Sequence, residues 1–191
     1  LGIRIEHLRK RYGAGDTAVD ALKDVNMTVA PGEVIGLIGP SGSGKSPTRA
    51  AMIAELKIHL QATQAKAISS MSVTLGELTL RVPRDGIVKL LTFLRDDSQC
   101  RFETLVDLCA CDYPTETERF EVVYHMLSMR LNQRIRIKVR TDETTPVPSV
   151  SGVFPVANWY EREAFDMYGV IFSGHPDLRR ILTDYGFEGY P

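Results

Sequence analysis

Apolar residues recur along this chain with two periods, and the changes of period mark its elements. From residue 52 to about 67, Ile53, Leu56 and Leu60 stand three or four positions apart, with Ala67 seven further on, which places one apolar stripe on a helix. The stripe weakens after Leu60, where Thr63 and Gln64 hold the expected apolar positions. Ile87, Leu90, Leu91 and Leu94 repeat the spacing and predict a second helix. Alternating or short apolar runs at residues 77 to 82, 102 to 112, 120 to 129 and 134 to 140 predict strands. The last two are joined around Asn132-Gln133, a hairpin turn without the usual glycine. Residues 157 to 168 fit an amphipathic helix with Gly169 as its stop, presenting Trp159, Phe165 and Met167 alongside Glu161, Arg162, Glu163 and Asp166. Residues 141 to 151, with Pro146 and Pro148, predict an exposed linker. Residues 170 to 191 have neither period and carry Gly174, Pro176, Gly186, Gly189 and Pro191, so they predict an extended arm that needs another surface to order it.

The first fifty residues read differently. Ile3 and Ile5, then residues 25 to 29, predict strands, and a Pro31-Gly32 turn leads into the apolar run Val34-Ile35-Gly36-Leu37-Ile38. That run predicts a buried strand ending at Gly39. Gly39-Pro40-Ser41-Gly42-Ser43-Gly44-Lys45-Ser46 then matches G-x-x-x-x-G-K-[ST] in the strand context the phosphate loop requires. Glycines turn backbone N–H groups toward phosphate oxygens, Lys45 supplies a point charge toward the outer phosphates, and the Ser46 hydroxyl is placed to hold Mg²⁺. The predicted division is residues 1 to 51 and residues 52 to 191.

Composition narrows the function classes. Hydrophobic residues are 43% and charged residues 25%, close to the globular average, so the chain is neither collagen-like nor wholly disordered. A net charge of −1 from 23 basic and 24 acidic residues gives no electrostatic reason to expect nucleic acid or an anionic membrane. No apolar run approaches the roughly 20 residues of a membrane span, and the first ten residues form neither a signal nor a transit peptide. Cys100, Cys109 and Cys111 are too few for a disulfide scaffold and lack paired C-x-x-C spacing, which predicts reduced thiols. His125 and His175 are far apart and outside H-E-x-x-H spacing, so no metal site is expected. Arg134-Ile135-Arg136-Ile137-Lys138-Val139-Arg140 alternates throughout. Its basic face predicts a solvated sheet surface or an acidic protein partner, since no aromatic shares that face to stack on bases.

Two resemblances follow from these residues. Tyr12, Ala21-Leu22-Lys23-Asp24-Val25, Pro31-Gly32-Glu33 and the loop at 39 to 46 resemble the opening of an ATP-binding cassette domain. That resemblance implies ATP and Mg²⁺ at Tyr12, Gly39, Gly42, Gly44, Lys45 and Ser46, with Tyr12 stacked on adenine. It stops at about residue 46, where Pro47 follows. No Leu-Ser-Gly-Gly-Gln signature, glutamine loop or apolar run ending in Asp-Glu appears downstream, so the parts needed for phosphoryl transfer are missing. Glu161-Arg162-Glu163, Asp166-Met167-Tyr168-Gly169 and residues 172 to 189, with Phe120-Glu121-Val122-Val123-Tyr124-His125 and Val147-Pro148-Ser149-Val150 upstream, carry the other. They resemble the C-type accessory subunit in the peripheral arm of the proton-pumping NADH:quinone oxidoreductase, respiratory complex I. This resemblance spans about residues 52 to 191, and Met52 is similar to an initiator.

The second resemblance implies an accessory, non-catalytic subunit with no flavin, cluster or quinone of its own. It would pack in the peripheral arm against the larger subunit that helps form the quinone pocket, on the cytoplasmic face of the bacterial inner membrane or the matrix face in mitochondria. Membrane contact would be only through the complex. The expected partner-binding residues are Glu161, Arg162, Glu163, Asp166, His175, Asp177, Arg179 and Arg180, a set read as locking the arm's path and docking a neighbouring subunit. Such a run also fits a solvated charged face. The expected fold is α+β: a mostly antiparallel sheet with helices on one side and an extended C-terminal arm, preceded by a truncated β-rich phosphate-loop fragment. The alternative function is a nucleotide-binding protein related to ATP-binding cassette ATPases.

Overall fold

The computed structural model describes residues 3–12, 19–30 and 49–191. It divides into two compact units, Leu1–Thr48 and Arg49–Pro191. In the first, β1 (Ile3–Tyr12) and β2 (Val19–Val29) form an antiparallel pair with register shifts. His7 adopts φ 52° there, and its N–H donates to Asn26 Oδ1 at 2.8 Å. The predicted strand at 34 to 38 and the loop residues Gly39, Gly42, Gly44, Lys45 and Ser46 lie outside the described residues, as does the side chain of Tyr12 at the end of β1.

The second unit is a mixed α+β fold. In chain order it contains α1 (Arg49–Gln64), β3 (Ser70–Thr74), β4 (Glu77–Arg81), α2 (Ile87–Asp96), β5 (Thr104–Asp112), β6 (Phe120–Ser128), β7 (Gln133–Thr141), β8 (Val147–Pro148), α3 (Ala157–Tyr168) and β9 (Phe172–Ser173). The main sheet runs β3-β4-β7-β6-β5, with β4 and β7 parallel and its other pairings antiparallel. Strand alternation assigns its faces. Leu78, Leu80, Ile135, Ile137, Val139, Val122, Tyr124, Met126, Leu108 and Ala110 point to one side and are buried. They join one core cluster with Ile53, Leu56 and Leu60 of α1 and with Ile87, Leu90, Leu91 and Leu94 of α2. Each fully buried aliphatic side chain contributes about 1.5–3 kcal/mol as an upper estimate, so the four of α2 are a main contribution to holding it on the sheet.

The opposite face is charged, with its carboxylates paired to cations of the same sheet. Glu121 is buried on β6 and accepts from Arg81 of β4 at 3.0 Å and from Lys138 and Arg140 of β7 at 2.6 and 3.1 Å. Burial works to raise the Glu121 pKa, but the Lys138 bond and the surrounding cations outweigh it and hold the carboxyl below its ordinary range. Arg136 donates to Glu77 at 3.0 Å. Three of the four cations of the β7 stripe, Arg136, Lys138 and Arg140, therefore meet acidic partners within the chain, while Arg134 is exposed and the three cations on Glu121 outnumber its one charge.

Three local features correct the sequence reading. Residues 141 to 151 are not an exposed linker: Thr141, Val147 and Val150 are buried, and Val147–Pro148 pairs in parallel with Phe172–Ser173. The Val147 and Ser149 N–H groups donate to Ile171 and Ser173 carbonyls, so Pro148 falls at the alternate position where no donor is required. The β6–β7 turn is the four-residue loop 129–132, with Asn132 at φ 48° and Ser128 paired to Gln133. Finally, α3 has the predicted bounds and turns charged groups inward, as its amphipathic pattern does not announce: Glu161, Arg162 and Asp166 are buried and Trp159 is 63% exposed. Among the described residues, no helix is long and apolar enough to cross a membrane.

Candidate functional site

The polar face of α3 is buried because two distant segments bring it partners. Residues 149–151 lie against its middle, where the Val150 N–H donates to Glu161 Oε1 at 2.7 Å and the Ser149 hydroxyl donates to Oε2 at 2.6 Å. These bonds offset only part of the cost of burial, so the Glu161 pKa is raised above the usual carboxylate value. His175 is buried beside it, its Nε2 3.9 Å from Glu161 Oε2. Its Nδ1 accepts from the Asp177 N–H at 3.0 Å, which leaves the Nε2 proton to be donated to the Asn158 carbonyl at 3.1 Å.

The last turn of α3 holds the tail. Asp166 Oδ2 accepts from three successive backbone N–H groups, Ile181, Leu182 and Thr183, at 2.8, 2.6 and 2.9 Å, and Oδ1 accepts from the Thr183 hydroxyl at 2.6 Å. Burial acts to raise the Asp166 pKa, but these four donors prevail and hold it far below the usual range. Arg162 donates to the carbonyls of Arg179 and Arg180 at 3.0 and 3.2 Å. Arg180 in turn reaches the Gly189 carbonyl at 2.7 Å, and its guanidinium lies over the rings of Phe187 and Tyr190. The Tyr190 ring rests on Gly169, the left-handed helix stop at φ 81°, where a Cβ would lie 2.7 Å from Tyr190 Cζ. An otherwise irregular tail is thereby tied to α3 at several points.

The expected partner residues divide accordingly. Glu161, Arg162 and Asp166 have their polar atoms engaged within the chain, where they lock the path of the tail and of residues 149–151. His175 and Arg180 also act within the chain, positioning the tail. Glu163, Asp177 and Arg179 are exposed, with Arg179 and Asp177 paired at 2.9 Å. Outward-facing apolar groups accompany them: Trp159 and Leu182 are about 60% exposed, Phe187 and Tyr190 about half, and Tyr185 fully. Sequence reasoning misses Ser149 and Thr183, whose hydroxyls complete the two carboxylate sites; the sequence pattern marks only the segments that carry them.

Residues 80–191 match the family described as respiratory-chain NADH dehydrogenase, 30 Kd subunit. The chain belongs to this family. The C-type subunit of NADH-quinone oxidoreductase from Hyphomonas neptunium is 61% identical over 139 residues, covering 73% of this chain and 69% of that one. Its counterpart in Parvibaculum lavamentivorans is 60% identical over 139 residues, covering 73% and 70%. Among solved structures, a chain of the membrane-bound sulfane sulfur reductase, an archaeal respiratory membrane complex, matches with a TM-score of 0.58 and 28% identity, over 70% of this chain and 78% of that one. The family match takes in α3 and the whole tail, and it begins well after the motif at residues 39 to 46.

Proposed function

We propose that this chain is a non-catalytic accessory subunit of a proton-pumping NADH:quinone oxidoreductase, and that its pinned tail is the surface by which it docks in the peripheral arm. Electron transfer from NADH to quinone belongs to the assembly. The observation that carries the docking role is the tail itself: internal bonds from Asp166 and Arg162 fix its backbone while Leu182, Tyr185 and Phe187 face outward. Large aromatic groups held in a fixed, exposed path lose little entropy on burial and suit the apolar centre of an interface. Arg179, exposed in the same segment, supplies a rim charge that sets orientation, as does Glu163 on the exposed side of α3. The partner that fits is the larger subunit that helps form the quinone pocket. That arrangement puts the chain on the cytoplasmic face of a bacterial inner membrane, or the matrix face of a mitochondrion, with membrane contact only through the complex. The chain is proposed to hold no flavin, iron-sulfur cluster or quinone.

The test replaces Leu182 and Tyr185 together with Ser. Because both side chains are exposed, the variant should keep its thermal midpoint yet fail to co-purify with the complex, and NADH:quinone activity of the membranes should fall at least tenfold. A folded variant that assembles normally would refute the docking role.

A further inference from the structure

The charged face of the main sheet carries one group of side chains that its ion-pair network does not use. β5 has a bulge between Leu105 and Asp107: Leu105 pairs with Met126, but Asp107 pairs with His125, so Val106 is the extra residue. The Tyr160 hydroxyl of α3 donates to the Val106 carbonyl at 3.1 Å and holds the bulge. The extra residue lets Leu105 and Leu108 both enter the core, and it turns Asp107 onto the same face as Cys109 and His125. One carboxylate oxygen, the Cys109 sulfur and one imidazole nitrogen consequently lie within 4.8 Å of one another, all half-buried.

These three side chains make no hydrogen bond or ion pair within 4.0 Å among the described residues. Neighbouring acids differ: Glu121 has three cationic partners, and Glu77 takes Arg136. A second group of similar composition, His59, Asp97 and Cys100, is already bonded within itself. His59 Nε2 lies 3.0 Å from Asp97 Oδ1, which also accepts from the Gln99 N–H at 2.9 Å. Burial and Asp97 push the Cys100 thiol up to about 12. At the β5–β6 site, burial first and then Asp107, Cys111 and Glu163 push the Cys109 thiol above its ordinary range, with Arg136 opposing, so a bound cation is what would hold the thiolate there.

We propose that Asp107, Cys109 and His125 bind one divalent transition-metal ion of the zinc type. The set of one thiolate, one imidazole and one carboxylate matches that ion's preference, and the half-exposed face leaves a fourth position to water. Metal–ligand distances of about 2.0–2.3 Å require ligand atoms roughly 3–4 Å apart, a closure that side-chain rotation supplies. On binding, the Cys109 S–H bond breaks, a metal–sulfur bond forms, and the proton passes to solvent.

The test titrates the chelator-treated chain of residues 1–191 with Co²⁺, read by its thiolate charge-transfer absorption, followed by displacement with Zn²⁺. One equivalent should bind, with affinity at least tenfold weaker in Cys109→Ala and in His125→Ala, and unchanged in Cys111→Ala and His59→Ala. In the unsubstituted protein, Zn²⁺ should protect Cys109 from alkylation while Cys111 stays reactive, a measurement that does not depend on any variant folding. Absence of stoichiometric binding, binding that follows His59 instead, or alkylation of Cys109 unaffected by Zn²⁺ would each overturn the assignment.

Discussion

Asp166 concentrates more of the tail's order than any other described side chain, because one carboxylate accepts three consecutive backbone N–H groups and a hydroxyl. Hydrogen bonds to a charged acceptor are worth roughly 1.5–3 kcal/mol when net effects are measured, so Asp166→Asn should raise amide exchange at residues 181–183 by about 10- to 100-fold without unfolding the sheet. The pH dependence has a definite sign. Because its folded pKa is depressed, Asp166 contributes stability that is fully present above the ordinary value of 3.8 and is lost as pH falls through the folded value. Glu161 has the opposite sign: its raised pKa opposes folding at neutral pH, and that opposition is relieved as pH falls toward 4.5. Hydrogen exchange across a pH series should therefore show tail protection held from pH 7 to about 4 and lost below it. In Asp166→Asn the protection should be low at every pH, and retention of the acid transition would contradict the assignment.

At the scale of elements, turns and edges decide how the strands meet. The β3–β4 hairpin turns through Leu75 and Gly76, both at positive φ, 53° and 71°, and Leu75 is almost fully exposed. A two-residue turn of this hand favours Asn or Asp at its first position. Leu75→Asn should stabilise the chain by about 0.5–1 kcal/mol, read as a rise of about 1–4 °C in thermal midpoint. Gly169→Ala should do the reverse, costing about 1–2 kcal/mol through its φ of 81° and displacing Tyr190. The same elements show why some structure is legible in the sequence and some is not. The four buried positions of α2 and the alternation of β7 are legible because each packs one apolar face against the core. β3 is not, since four of its five residues are exposed and its turn begins with Leu. β8 is hidden by prolines that an edge strand tolerates. For α3 the bounds are legible from Gly169, but its orientation is set by partners at 149–151 and 179–183, which no helical period can report.

For the whole molecule, the question is which of its two units carries the function. The second unit has its own core, a tail fixed in an outward-facing path, and family membership through residues 80–191. The phosphate-loop motif at residues 39 to 46 lies before that span, and neither the described residues nor the relatives support the nucleotide-binding alternative. If assembly is the function, Lys45 and the tail must behave differently in the same assay. Lys45→Ala removes the charge on which phosphate binding at such a loop depends, yet it should leave co-purification with the complex and NADH:quinone activity within twofold of the unsubstituted chain. Leu182 and Tyr185 changed together to Ser should abolish both. The comparison also separates failure of folding from failure of docking, because thermal midpoints of both variants should match the parent. Loss of assembly in Lys45→Ala, with labelled ATP bound by the parent and not by the variant, would move the function to the first unit and make the tail secondary.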